Sequence, residues 1–170
     1  MLVIDADQIS RQVCEAGSPC LEELVEEFGQ DILNDQGELR RKFLGDLVFH
    51  DEKKLEKLNA ITHKYIVAEI EKILEDSNDD RFIIDAALLF ESGLSDICTA
   101  IVVVTADKEM RAERIAKRDG LTMEQAFARI NAQQDESFYT SRADFVIYNN
   151  GDTSELRLET DLVIDVIFGK

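Results

Sequence analysis

Apolar positions along the chain follow two habits. Residues 82–89 (FIIDAALL) and 100–105 (AIVVVT) are nearly continuous apolar runs of strand length. Such runs predict strands covered on both faces, as in parallel sheets under helices. Residues 2–5 (LVID) predict a first strand. Residues 144–149 (DFVIYN) predict a last one, closed by the turn signal Asn150-Gly151. A helix-like segment carrying Arg11 follows the first strand directly. Elsewhere the apolar spacing is helical. Ser18 is a suitable N-cap with Pro19 at the first helical position. Leu21, Leu24, Val25 and Phe28 then make one stripe, and Gly29 ends it. DQG at 35–37 predicts a turn, and helices are predicted over 38–49 and 51–76. In the second of these, Leu55, Leu58 and Ile61 begin a stripe that Ile66, Ile70, Ile73 and Leu74 continue. Further helices are predicted over 107–118, over 122–133 behind a Thr122–Gln125 capping box, and over about 154–167.

Strands alternating with helices predict an α/β fold with a parallel sheet. The helical stretch 18–76 reads as a cap inserted between the first two strands. There is no repeat, no low-complexity segment and no linker, and the chain has a single proline, so 1–170 is read as one domain.

Composition narrows the class. Hydrophobic residues are 45% and charged residues 32% of the 170, as in ordinary soluble globular proteins. No apolar run has the length of a membrane span. The opening MLVIDAD has neither the basic nor the long apolar region of a secretory signal. Cys14, Cys20 and Cys98 are odd in number and lack CxxC spacing, so reduced thiols and a cytoplasmic location are expected. The net charge of −17 argues against a nucleic-acid binder, which needs surplus Lys and Arg along the phosphate backbone. A small phosphorylated ligand needs only a local cationic pocket, so clustered arginines in this acidic background carry weight.

Several side chains are candidates for chemistry. Asp5 and Asp7 fall at the end of the first strand, on the rim where open α/β sheets bind ligands. Asp7 there is suited to take a proton from a substrate hydroxyl, and Asp5 to orient a substrate group or metal-bound water. For either aspartate alone, capping the next helix is the simpler reading. Arg11, one turn along, adds a cation to the pair. Arg111, Arg114 and Arg118 fall at i, i+3 and i+7, on one helix face, with Arg129 on the next helix. They suit a phosphate clamp, set against a solvated face partnered by Glu109 and Glu113. Four of the 19 basic residues lie between 111 and 118, which favours the clamp. Asp85 interrupts an apolar strand, where an unpaired buried charge is costly. It is therefore expected to face the site or to pair with a cation, and Glu91 lies just beyond on the same rim. His63 on its helix reads as a packing or capping residue as readily as a functional one, and His50 has less to support it. No metal-ligand spacing such as HxxxH or CxxC occurs, so no metal site is expected. Ser92 and Ser95 lack the nucleophile-elbow context.

In chain order, VIDAD at 3–7 with SRQV at 10–13, GSPCLEELVEEFG at 17–29 and NDQGELRR at 34–41 resemble the dephospho-CoA kinase family. So do ALLFESG at 87–93, IVVVTA at 101–106, AERIAKRDGLTMEQAFARINAQ at 112–133 and ADFVIYNNG at 143–151. The resemblance implies a P-loop kinase fold that transfers the γ-phosphoryl group of ATP, with Mg2+, to the ribose 3′-hydroxyl of dephospho-CoA, the last step of coenzyme A synthesis. It implies Asp7 as the base. It also implies a helical substrate-binding region at 14–78 and a lid at 107–142 whose Arg114 and Arg118 face ATP phosphates; beside it, Asp5, Arg11, His63, Asp85 and Glu91 are the substrate-binding candidates read from the residues. The family also carries a strand and a GxxxxGK[ST] loop that cradles those phosphates. None of the eight glycines begins or completes such a motif; only Gly169 precedes a lysine, Lys170. The chain opens where the family's second strand begins, with roughly 30 residues, about one strand–loop–helix unit, unaccounted for. A start site assigned late or a shortened chain is the expected cause. Phosphoryl transfer by these 170 residues alone is expected to be poor, and the apolar edges of neighbouring strands are expected to be exposed. Ala87 and Lys64 stand where the family commonly has proline. Glu136 and Tyr139 stand among positions where many members have arginine, so no lid role is carried to them.

Two other readings compete. A strand ending in DxD also opens haloacid-dehalogenase-type phosphohydrolases, with Asp5 as nucleophile and Asp7 as acid/base. That class needs a later acidic motif at a strand end, whereas Asp161 and Asp165 fall on a helical pattern. The other is a non-catalytic CoA-binding module.

Overall fold

The four apolar runs become four strands, all paired in parallel, as two two-stranded sheets. The computed structural model describes residues 1–49 and 51–169; His50 and Lys170 lie outside the described residues. The chain divides into two compact units, 1–97 and 98–170.

In the first unit, β1 (Leu2–Asp5) runs straight into α1 (Ala6–Gln12), and β2 (Phe82–Asp85) lies beside β1. Leu2 pairs with Phe82 and Asp5 with Asp85. A parallel pair needs a long crossover, and here it carries α2 (Pro19–Phe28), α3 (Arg41–Val48) and α4 (Glu52–Asp76). Local signals set their limits. The Ser18 hydroxyl accepts from the Leu21 amide at 3.2 Å, and Gly29 ends α2 at φ 87°, a conformation that side chains with a Cβ rarely adopt. Helix α3 begins at Arg41, later than the predicted residue 38. The backbone before it is committed elsewhere: Glu38 O accepts from Asn34, the Arg40 amide donates to Ile32 O, and Leu33 bridges Leu39. Asp51 caps α4 through the Lys54 amide.

Two apolar clusters fill this unit. Ile4, Ala6 and Ile9 meet Ile66, Ile70 and Leu94 in one. Cys14, Cys20, Leu24, Ile32, Leu44 and Val48 make the other, with Leu58, Ile61 and Tyr65 of α4 against it. The Tyr65 hydroxyl donates to Glu23 Oε2 at 2.7 Å, and Lys64 pairs with the same carboxylate, so α4 is tied to α2 at the surface.

The predicted strand over 82–89 is corrected: β2 stops at Asp85, and residues beyond it turn, with the Ser92 amide on Leu88 O and the Ser95 amide on Leu89 O. The run is apolar for a different reason than strand pairing. Ala86 and Leu89 pack on the first cluster, and run length alone does not separate strand from buried turn.

In the second unit, β3 (Val102–Thr105) pairs with β4 (Phe145–Tyr148), Val102 opposite Phe145 and Thr105 opposite Tyr148. The crossover carries α5 (Lys108–Asp119), α6 (Met123–Asn131) and the short α7 (Glu136–Thr140), and α8 (Thr153–Phe168) follows β4. Gly120 ends α5 in the left-handed conformation, φ 67°. The predicted capping box is present in both directions between Thr122 and Gln125. Helix α7 has no apolar stripe and was not predicted. Ala112 of α5 packs on Ala126 and Ile130 of α6. The expectation that β3 is covered on both faces is also corrected. Val102 and Val104 are exposed, and Leu158, Leu162 and Val166 make an exposed stripe along α8.

Candidate active site

The end of β1 sets the site. Asp5 is the last strand residue and caps α1, and Asp7 falls in that helix's first turn, so the backbone passes from strand to helix between the two carboxylates. Burial of Ala6 and Ile9 against α4 fixes which way that turn faces. Asp7 lines a cavity of about 270 Å³ contained in the first unit. Ser10 and Cys14 continue the same wall, Arg41 and Leu44 come from α3, Asn59, Thr62 and His63 from α4, and Ala87, Leu88 and Ser92 from the turn after β2.

The structure thus brings Asp7 and His63 to one cavity. Burial is the main influence on His63 and holds its pKa below the usual 6.5. The nearby Glu91 carboxylate and a hydrogen bond to the Glu91 backbone pull in the opposite direction without winning. Glu91 therefore acts on His63 from the rim, and the imidazole is neutral at neutral pH.

The other acidic candidates are placed differently. Asp5 Oδ1 accepts from the Gln8 amide at 2.9 Å and caps α1, the simpler of its two readings. Asp85 ends β2, exposed and in register with Asp5, so the burial cost that called for a cationic partner does not arise. Neither lines the cavity. Arg11 is exposed, and its carbonyl accepts from Arg41 Nη2 at 3.2 Å. Sequence reasoning missed Arg41 and Cys14. The signal for Arg41 was a basic pair, Arg40-Arg41, in an acidic stretch; the signal for Cys14 was its pairing in sequence with Cys20 six residues on.

In the second unit Arg111, Arg114, Arg118 and Arg129 are exposed or half-buried and already engaged. Arg118 makes a bidentate contact with Asp119, Nε to Oδ1 at 2.7 Å and Nη2 to Oδ2 at 3.0 Å, and Arg129 reaches the same carboxylate. Arg114 Nη2 lies 3.5 Å from Asn149 Oδ1, and Arg111 Nη2 lies 3.8 Å from Glu136 Oε2. Asp107 and Asn150 lock the ends of β3 and β4 reciprocally, at 2.8 and 2.9 Å. Among the described residues no group of three or more His, Cys, Asp or Glu side chains is set to hold a metal ion. No described helix is long and apolar enough to cross a membrane.

Parallel strands joined through helical crossovers, with an acidic side chain at the carboxyl end of the first, are consistent with an α/β fold of the P-loop kinase type. The family model for dephospho-CoA kinase matches residues 1–155, and the chain belongs to that family. A dephospho-CoA kinase from Thermobifida fusca is 39% identical over 156 residues, 91% of this chain and 78% of that protein. A Thermus thermophilus crystal structure superposes with TM-score 0.79 at 29% identity, covering 98% of this chain and 85% of the other. Dephospho-CoA kinase from Campylobacter jejuni gives 0.67 at 29%, covering 99% and 86%. Family membership sets aside the phosphohydrolase reading, and the capping role of Asp5 gives a proposed nucleophile no support.

Proposed function

We propose that this chain acts in ATP-dependent phosphorylation of the ribose 3′-hydroxyl of dephospho-CoA. The observation that carries the reading is the shared cavity of Asp7 and His63 at the end of β1, in a chain of this family. Asp7, exposed at the carboxyl end of the strand, takes the hydroxyl proton as that oxygen attacks the γ-phosphorus. His63, neutral and oriented by the Glu91 backbone, offers the substrate a hydrogen-bonding group without adding charge. Arg41 puts a cation on the wall that receives an anionic substrate. Helices within 14–78 enclose the acceptor, and the 107–142 segment serves as the lid. Arg114 and Arg118 meet ATP phosphates by exchanging Asn149 and Asp119 for phosphate oxygens. Mg2+ accompanies ATP, and no protein ligand is assigned to it. The reaction is placed in the cytoplasm.

The 170 residues contain no GxxxxGK[ST] sequence, so no step is assigned to a phosphate cradle. A CoA-binding module is the second reading. It is favoured by a cavity built wholly within the first unit. Calorimetry with dephospho-CoA, with and without ATP, tests the shared part: binding without ATP is expected. A rate assay for CoA formation separates the readings. Detectable ATP-dependent product supports the kinase, binding alone the module, and a folded chain that binds no dephospho-CoA overturns both.

A further inference from the structure

The cavity wall carries one thiol, with a second behind it, for which the proposed reaction has no use. Cys14 lies in the turn after α1 and Cys20 is the second residue of α2. The connection doubles back through Gly17, at φ 78°, and Pro19, and brings the two sulfurs to 3.7 Å, both buried and both reduced. Cys14 alone of the pair lines the cavity, so a small solute in the cavity reaches its sulfur although little of its surface is open. Cys20 sits behind it, fully covered. We propose that Cys14 and Cys20 are an oxidisable pair, in which hydrogen peroxide entering through the cavity converts the two thiols to an intrachain disulfide.

The chemistry is set by which sulfur gives up its proton. The hydrogen bond from Cys20, aided by the charge of Arg41 and opposed by burial, lowers the Cys14 pKa to about 7. The same contact, with burial and the neighbouring carboxylate of Glu23, pushes Cys20 well up. Cys14, the sulfur that a solute in the cavity meets and the one drawn toward the thiolate, is therefore the nucleophile, and Cys20 behind it the resolving thiol. The Cys14 thiolate attacks one peroxide oxygen, the O–O bond breaks, and hydroxide leaves to become water; the sulfur is oxidised to sulfenic acid. The Cys20 sulfur then attacks the Cys14 sulfur, the S–O bond breaks, and the departing hydroxide takes the Cys20 proton as a second water. Two thiols and one peroxide give one disulfide and two waters. The sulfurs close from 3.7 Å to about 2.0 Å, a movement the exposed turn 15–17 is placed to absorb. The bond would join the turn after α1 to the start of α2 and remove a thiol from the cavity wall. Thiol reductants restore the pair.

The test is mass mapping of the folded chain after hydrogen peroxide, with remaining thiols alkylated before any reduction. Both cysteines fall in one tryptic peptide, residues 12–40, and Cys98 falls in another. The expected result is peptide 12–40 lighter by two hydrogens and unalkylated, forming at least tenfold faster than oxidation of Cys98. It should return to two alkylatable thiols after dithiothreitol. In Cys20→Ser, sulfenic acid on Cys14 is trapped by dimedone; in Cys14→Ser, Cys20 stays a thiol. The proposal is overturned if peptide 12–40 keeps both thiols once Cys98 has reacted, or if these cysteines link separate chains instead. The unmodified chain decides between these outcomes even if a serine variant fails to fold.

Discussion

At the scale of single residues, position decides more than residue type. Asp5 and Asp7 are two residues apart and carry the same group, yet one is committed to a helix N-terminus and the other faces a cavity. Asp7→Asn removes the proposed base while keeping its size. Whatever rate the chain shows, that change should lower ATP-dependent CoA formation ~100-fold or more, within the usual range for a general base. Dephospho-CoA binding, read by calorimetry, should stay within about threefold. Asp5→Asn, which leaves an oxygen able to cap α1, should change the rate far less. His63 gives a second prediction, on stability. Its native pKa lies below the usual 6.5, so above that pH it is neutral in both folded and unfolded chains. As pH falls below 6.5 the unfolded chain takes the proton first, and stability is lost down through the native pKa. The urea midpoint of the native sequence should therefore fall more steeply between about pH 7 and about pH 5 than that of His63→Gln.

At the scale of elements, local chemistry and burial act separately. Ser18→Ala removes the N-cap of α2 and should cost about 1 kcal/mol in urea denaturation. Ile70→Ala empties a fully buried position on α4 and should cost about 2–5 kcal/mol. Elements whose limits are written in such local chemistry were legible in the sequence. Ser18, Pro19 and Gly29 bound α2 where predicted, and the Thr122–Gln125 box opens α6. What was not legible depends on distant partners. Residues 86–89 look like strand because they are apolar, but they are apolar for the cavity and the first cluster. Asp85 looked buried because its neighbours are apolar, but the strand ends at it. Of the site, Asp7 and His63 line one cavity, which neither residue's local pattern showed. Arg41 was passed over because only the folding back of α3 carries it to the cavity.

At the scale of the whole molecule, charge and the division into units dominate. A net charge of −17 on 170 residues is self-repelling in the compact state. Raising sodium chloride from about 0.01 M to about 0.2 M shortens the screening length to below 10 Å and should raise the thermal midpoint. An unchanged midpoint would show that the acidic groups are spaced widely enough not to matter. The all-parallel pairing was foreseeable from the apolar runs. The split into two-stranded sheets was not, because pairing partners are not written in local pattern.

Helix α4 runs 25 residues, roughly 38 Å. Its later turns give Ile66 and Ile70 to the first cluster, while its earlier turns lean on the second through Leu58, Ile61 and Tyr65. One rod thus underlies both masses of side chains, and His63 on it lines the cavity. Neither mass can loosen without the rod losing half its support, so amide exchange along the middle of α4 should report a single opening event shared by both.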